Sequence, residues 1–557
     1  MTSVPLSELL AFMNVDRRYD EAVKTYHFRC PEHFNFAYDI IDQVAETADK
    51  TAVLAVSSDG ETVKPLAYSD LARRSNRFAN GLAQLGVRPG DVACLIAGRI
   101  PAWYDAIFGC MKRGVVSMPG TTLLTQRDIA YRINYAGASI AIVTPEHCEK
   151  IEEIEADCPS LSHKIVLGAE RPGWTSSDVL CAAMPDEIGP TDRIVTRSSD
   201  PMMAYFTSGT TALPKMVPRD HAYALAHAST ALFWMDLRAD DIHWTLTDTG
   251  WAKAAWGLLF PQFLAGCTVV LLDGRGGRGF NADLHLRLIE RLKVTTFCAP
   301  PTLFRGFAQM DLSPYDLSSL RRSMGSGEPL NPEAIRSWHQ QTGTVIADGY
   351  GQTETVNIIA NYPDKPIKIG SMGLAVPGFD IHVVDEEGEA VADGELGTIA
   401  LRLTDPPPPG LFPGYQTDAG YDRKPFQNGW YYTGDTARRD ADGYFWFVGR
   451  ADDLIVSAGY RISPFEVESA LLEHEAVAES AVTGEPDALR GQSVVAHIKL
   501  ADGFEATEDL VRDIQDFCKT QTAPYKYPRR IVFVDDLPKT ISGKIRRVEL
   551  REQAKRD

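Results

Sequence analysis

The feature that most constrains this chain is an alternation: short apolar, β-branched runs separated by stretches with helical spacing. Thr51 to Val56 reads as a strand. Leu71, Phe78, Leu82 and Leu85 then share one helix face, Gly86 and Pro89 stop that helix, and Asp91 to Ala97 is the next strand. The order repeats with a helix over Trp103 to Arg113 and strands at Val115 to Met118 and Ile140 to Val143. Such alternation predicts an α/β fold of layered, largely parallel sheets.

At 557 residues, the chain is long enough for several packed units of roughly 100 to 200 residues each. Lys plus Arg number 56 against 75 Asp plus Glu, a net charge of −19. So acidic a surface repels phosphate backbones, which argues against a nucleic-acid or anionic-membrane binder, and any anionic ligand must meet local cations. The nine cysteines are scattered and never spaced as CxxC, which predicts reduced thiols without disulfides or zinc. With no basic residue ahead of the first apolar run, the expected location is cytoplasmic. Ala254 to Leu272 is free of charge and long enough to span a bilayer. Pro261, Gln262 and Gly266 interrupt it and its end is β-branched, so a buried helix followed by a buried strand is expected and no membrane span.

The texture changes after about Gly449. Ser463-Pro464-Phe465-Glu466 is a capping box with proline at the first helical position. Strands at Ala478 to Thr483, Val494 to Leu500 and Arg530 to Val534, with a helix over Thr507 to Gln521, make a compact α+β unit. The expected domains are 1–451 and 452–557. The end of the chain is basic, with Lys539, Lys544, Arg546, Arg547, Arg551, Lys555 and Arg556. It is either a solvated tail or a segment that delivers charge somewhere.

Two glycine-rich stretches compete as ligand loops. Gly274 to Gly279 fits G-x-G-x-x-G between a strand and a helix, but the following strand, VTTFCAP, lacks the acidic residue that a dinucleotide site requires. The second follows the apolar run Met202 to Phe206: Thr207-Ser208-Gly209-Thr210-Thr211-Ala212-Leu213-Pro214-Lys215. Its hydroxyls, glycine and lysine can wrap a polyphosphate, although it is not a P-loop.

Four more motifs follow in order: Asp348-Gly349-Tyr350-Gly351-Gln352-Thr353-Glu354, then Tyr431 to Asp435, then Gly449 to Asp453, then Pro538-Lys539-Thr540-Ile541-Ser542-Gly543-Lys544. With the Thr207 loop, this constellation resembles the adenylate-forming superfamily of acyl-CoA synthetases, adenylation domains and luciferases. Asp248 to Trp251 and Phe297 to Thr302 look most like medium-chain acyl-CoA synthetases.

The resemblance implies a large N-terminal α/β region with a small mobile C-terminal domain, and an acid:CoA ligase that uses ATP, Mg2+ and coenzyme A on a small carboxylic acid. Loading of a carrier protein, luciferase-type oxidation and nucleotide-dependent regulation without turnover are the alternatives; only the last has little reason to keep Lys544. The catalytic set it implies is Lys544, Thr207 and Glu354. Thr207, Ser208, Gly209, Thr210, Thr211, Lys215, Gly327, Glu328, Pro329, Asp348 to Thr353, Asp435, Arg450 and Lys544 would hold the nucleotide. Glu354 would meet magnesium, which favours a lone carboxylate plus water and phosphate oxygens. Trp251, Gly459, Tyr460 and Arg461 would border the acyl and pantetheine passage, and Asp452 would be the hinge. Trp256 and Phe260 suit either an apolar acyl tunnel or core packing, and no cation there obviously awaits a second carboxylate. Ala212 stands where most relatives have glycine; if φ is positive there, alanine costs on the order of 1 kcal/mol.

Overall fold

The computed structural model describes residues 4–207, 213–274, 281–327, 330, 332–458, 460–487, 489–539 and 544–553. The chain divides into two compact units. One comprises Met1–Thr207, Met216–Phe379 and Thr404–Arg423; the other comprises Ser208–Lys215, Asp380–Leu403 and Lys424–Asp557.

In the first unit the apolar runs form two nine-stranded sheets among the described residues. In one, Ile346–Gly351, Arg322–Ser326, Thr296–Ala299, Ile242–Thr245, Thr268–Leu272 and Thr51–Val56 lie side by side and parallel. In the other, Pro201–Phe206, Val116–Pro119, Val92–Ile96, Ile140–Val143, His163–Val166 and Thr175–Ser176 do the same. Antiparallel strands continue both sheets at their margins. Parallel neighbours need crossovers, and the helices supply them.

The helix Tyr68–Gln84 buries Leu71, Phe78 and Leu82 as its spacing predicts, each contributing roughly 1.5–3 kcal/mol of burial. The uncharged stretch from Ala254 resolves into a wide π-type turn at Ala255–Leu259, a helix at Phe260–Ala265 and the strand Thr268–Leu272. Pro261 has no N–H to continue the preceding ladder, which accounts for the break ahead of it. No helix among the described residues is long and apolar enough to cross a membrane. All nine cysteines are unbridged.

The second unit contains two five-stranded sheets among the described residues. Ile381–Val384, Leu396–Arg402, Trp430–Arg439, Phe426–Gln427 and Phe445–Arg450 form a wholly antiparallel one. The alternation that predicts parallel layers does not extend to this segment. The other holds Tyr460–Ile462, Ile455–Ser457, Gly491–Leu500, Val477–Asp487 and Arg530–Phe533. Helices Pro464–Leu471 and Glu508–Gln521 accompany it, and Ile455, Val467, Leu471, Ile498 and Ile514 form its core. Ser463 is the expected N-cap, and Thr507, read from the sequence as the first helical residue, caps the second helix; each accepts a backbone N–H three residues on at 3.1 Å.

Candidate active site

In the first unit the motif residues gather at the carboxyl ends of parallel strands, where open α/β sheets bind ligands. Thr207 follows the strand Pro201–Phe206, and Lys215 directly precedes its antiparallel partner Met216–Asp220. Lys215 is exposed. Ser208, Gly209, Thr210, Thr211 and Ala212 lie outside the described residues, as do Glu328, Pro329 and Gly459. Gly327 directly follows the strand Arg322–Ser326 with φ at +101°, a conformation that favours glycine.

Register pairs Ser326 with Gly349 and Gly325 with Asp348. Gly349 N–H donates to the Asp348 carboxylate at 2.8 Å, and burial pushes that carboxyl up to about 8. A side chain at Gly349 would collide with the Trp234 indole, and one at Gly351 with Trp256 and the Val356 carbonyl. These glycines are thus already required by packing inside the protein, beside any approach of a flat ligand. Tyr350, between them, is half-buried. Gln352 and Thr355 close a turn, with Gln352 N–H on Thr355 Oγ1 at 3.0 Å and Thr355 N–H on the Gln352 carbonyl at 3.2 Å. Thr353 lies within that turn and Glu354 is delivered from it.

Glu354 is buried. The Tyr415 hydroxyl donates to its Oε1 at 2.7 Å, while its carbonyl accepts from Phe412 N–H and Arg219 Nη1, both at 2.9 Å. Arg219 also donates to the Gly410 carbonyl and stacks over the Tyr223 ring at 3.7 Å. Neither Tyr415 nor Arg219 was expected from the sequence. A readable signal exists for Arg219, a charged residue directly after the apolar strand run Met216-Val217-Pro218, since buried charge without hydrogen bonds is costly. Among the described residues no group of three or more His, Cys, Asp and Glu could hold a metal. Glu354 as a lone carboxylate oriented by a hydroxyl fits magnesium, whose remaining ligands are waters and phosphate oxygens.

Trp251 is half-buried and caps the turn Ala252–Ala254. Phe260 is fully buried among rings, against Phe36 at 4.9 Å and stacked on His227 at 5.6 Å, so it is core. Lys253, between Trp251 and Trp256, donates from Nζ to the Ser326 carbonyl at 3.1 Å.

In the second unit Asp435 and Arg450 are register partners on antiparallel strands, with Nη1 to Oδ1 at 3.3 Å. Asp435 is buried, while Arg450 is partly exposed and reaches on to Asp452 at 3.5 Å. Thr433 ties the turn together: its Oγ1 accepts the Asp435 N–H at 3.1 Å and donates to the Ile399 carbonyl at 2.8 Å. Lys544 is exposed. A bridge between Lys539 and Ile545, with Arg546 N–H on the Pro538 carbonyl at 2.8 Å, closes the base of its loop. Tyr460 stacks on Tyr525 at 4.2 Å, and Arg461 lies 3.6 Å from Glu386.

Comparison with known proteins agrees with this layout. The family described as AMP-binding enzyme matches residues 40–416, and the AMP-binding enzyme C-terminal domain matches residues 466–544. The chain is 41% identical over 544 residues to the acyl-coenzyme A synthetase ACSM4, mitochondrial, of Rattus norvegicus, covering 96% of this chain and 93% of that one. It is similar in structure to the anthranilate CoA ligase AuaEII in complex with anthranoyl-AMP, with a TM-score of 0.85, 33% identity and coverage of 94% and 98%. It is also similar to a benzoate CoA ligase from Burkholderia xenovorans LB400, with a TM-score of 0.77, 28% identity and coverage of 93% and 100%. The expectation of a cytoplasmic location does not stand, because the curated relatives are named mitochondrial. Unpaired thiols report a reducing compartment and cannot tell one such compartment from another.

Proposed function

Because this chain belongs to the AMP-binding enzyme family, we propose that it is an ATP-dependent, AMP-forming acid:CoA ligase. A carboxylate oxygen attacks the α-phosphorus of ATP, pyrophosphate leaves, and an acyl-adenylate remains. The thiol sulfur of coenzyme A then attacks the acyl carbon, losing its proton, and AMP departs. The observation that carries this reading is the Asp435–Arg450 pair. A buried carboxylate with two acceptor oxygens suits the two ribose hydroxyls, and the guanidinium beside it suits ribose and phosphate oxygens.

Other residues take roles by their chemistry. The Thr207 to Lys215 segment and Gly327 to Pro329 line the phosphates and adenine, and Tyr350 stacks on the base. Asp348, Gly349, Gly351, Gln352 and Thr353 shape the strand end that receives it. Glu354 would hold magnesium, which neutralises phosphate charge when bound; the work of Tyr415 and Arg219 is to orient that glutamate. Lys544 brings an ammonium between two anions that must meet, and so stabilises the charge developing in the adenylation transition state.

That ammonium must leave before pantetheine reaches the same carbon. The domains in this reading are 1–451 and 452–557, turning about Asp452, with Gly459, Tyr460 and Arg461 brought to the thiol in the second pose. Trp251 borders the acyl passage. Its ring suits a medium-chain or aromatic acid, and the anthranilate and benzoate named in its structural relatives favour an aromatic one. The test is a panel of straight-chain, branched and aromatic acids assayed for CoA-dependent AMP formation. Turnover with one class supports the reading, and no AMP release with any acid contradicts it.

A further inference from the structure

The basic end of this acidic chain has a structural destination. Arg547 grips Glu468 with Nη2 at 2.8 Å and 2.7 Å from its two carboxylate oxygens, and its Nη1 lies 3.6 Å from Asp453. Arg551 donates to the other oxygen of Asp453 at 3.0 Å. Glu468 and Asp453 have side chains only 8% and 11% exposed, so both are largely desolvated anions that need these partners. Glu468 Oε1 also accepts the Val482 N–H at 2.7 Å, which joins the helix Pro464–Leu471 to the strand Val477–Asp487.

The neighbouring residue belongs to a different network. Asp452 faces back to Arg450 at 3.5 Å, and through it to Asp435. Ala451 N–H is held by the Gly434 carbonyl at 2.9 Å, so the chain through Ala451 belongs to the ribose-side strands. Two adjacent carboxylates thus point into two separate ion clusters, and the join between the clusters is the Asp452–Asp453 peptide.

We propose that Asp453, Arg547, Arg551 and Glu468 form a clamp that makes everything beyond Asp452 turn as one body and sets where Lys544 arrives in that turn. The inference rests on the role given above to Lys544. Arg547 follows Lys544 by three residues, at most about 11 Å of extended chain, and the base of the Lys544 loop is packed through Leu537, Ile545 and Leu550 against Ala481. A guanidinium gripped by two carboxylates has little freedom, so Lys544, three residues before it, is carried with the hinge. Several contacts cross the pivot in this pose, among them Ser463 Oγ on the Val448 carbonyl, the Phe447–Phe465 ring pair at 6.2 Å, Arg461 with Glu386 at 3.6 Å, and Asp453 N–H on the Arg450 carbonyl at 3.1 Å. A rotation breaks these, whereas the clamp lies wholly on one side and survives it.

The clamp is tested with Arg551→Met, Arg551→Lys and the near-isosteric Asp453→Asn. Each is assayed for acid-dependent pyrophosphate exchange, for thioester formation from a synthetic acyl-adenylate, and for thermal unfolding. Arg551→Met and Asp453→Asn are expected to slow exchange by about tenfold, the order of loss that misplacing a reacting group brings. Thioester formation should change less than about twofold on the same argument. Arg551→Lys should restore most of the exchange, and Arg551→Met placed in Lys544→Ala should add nothing, since both act on one step. Wild-type exchange in both variants overturns the clamp. Equal loss of both half-reactions with a lower melting temperature also overturns it, because the cluster then serves only the stability of the domain. If Lys544→Ala itself keeps exchange, the role of Lys544 is what fails.

Discussion

Asp435 and Arg450, fifteen residues apart in the sequence, face each other across an antiparallel strand pair with their charged groups 3.3 Å apart. The carboxylate is buried and the guanidinium partly exposed. One side of the pair is therefore held by the fold, and the other is turned to a second carboxylate, Asp452.

Replacing Asp435 with alanine removes acceptors that would be charge-assisted partners for ribose hydroxyls. The expected result is a fall in kcat/KM for ATP of about tenfold or more, with melting temperature little changed because Arg450 keeps Asp452. Unchanged ATP kinetics would return Asp435 to a purely structural role.

Tyr415→Phe keeps the ring and deletes the hydroxyl that donates to Glu354 at 2.7 Å. Loss of one such bond, about 1 kcal/mol, should raise the magnesium concentration needed for half-maximal pyrophosphate exchange by about fivefold. An identical magnesium titration would separate Glu354 from the metal.

Asp348 gives a pH-dependent prediction. Its carboxyl is pushed up to about 8 by burial, against about 3.9 for an unperturbed aspartate. Between those values the folded state holds the proton and the unfolded state does not, so unfolding becomes easier as pH rises through that window. Asp348→Asn has no such titration. Its melting temperature should therefore gain on the wild type by about 2 °C or more between pH 5 and pH 9. A constant difference across that range would show that Asp348 is ionised throughout in the folded protein.

The parallel layers were legible in the sequence because apolar β-branched runs and helix stops are local signals. Thr51–Val56 and Ile140–Val143 match to the residue. The antiparallel strands carrying Asp435 and Arg450 were not, since Trp430–Arg439 mixes aromatic, hydroxyl and charged residues without a clean period of two. At the site, residues inside motifs could be named. Tyr415 could not, because it acts on Glu354 from a distant stretch of chain, through a contact that only the folded sheet creates; Arg219 stands out as a charge after an apolar run, but its partner is set only by the fold.

The most direct test of the whole account is Lys544→Ala followed through both half-reactions. Lys544 is exposed at the end of its loop, and its ammonium is needed only where carboxylate meets phosphate. Pyrophosphate exchange should fall by about a hundredfold or more, while thioester formation from a ready-made acyl-adenylate stays within about threefold of wild type. Equal loss of the two half-reactions, or exchange that survives the substitution, would contradict it.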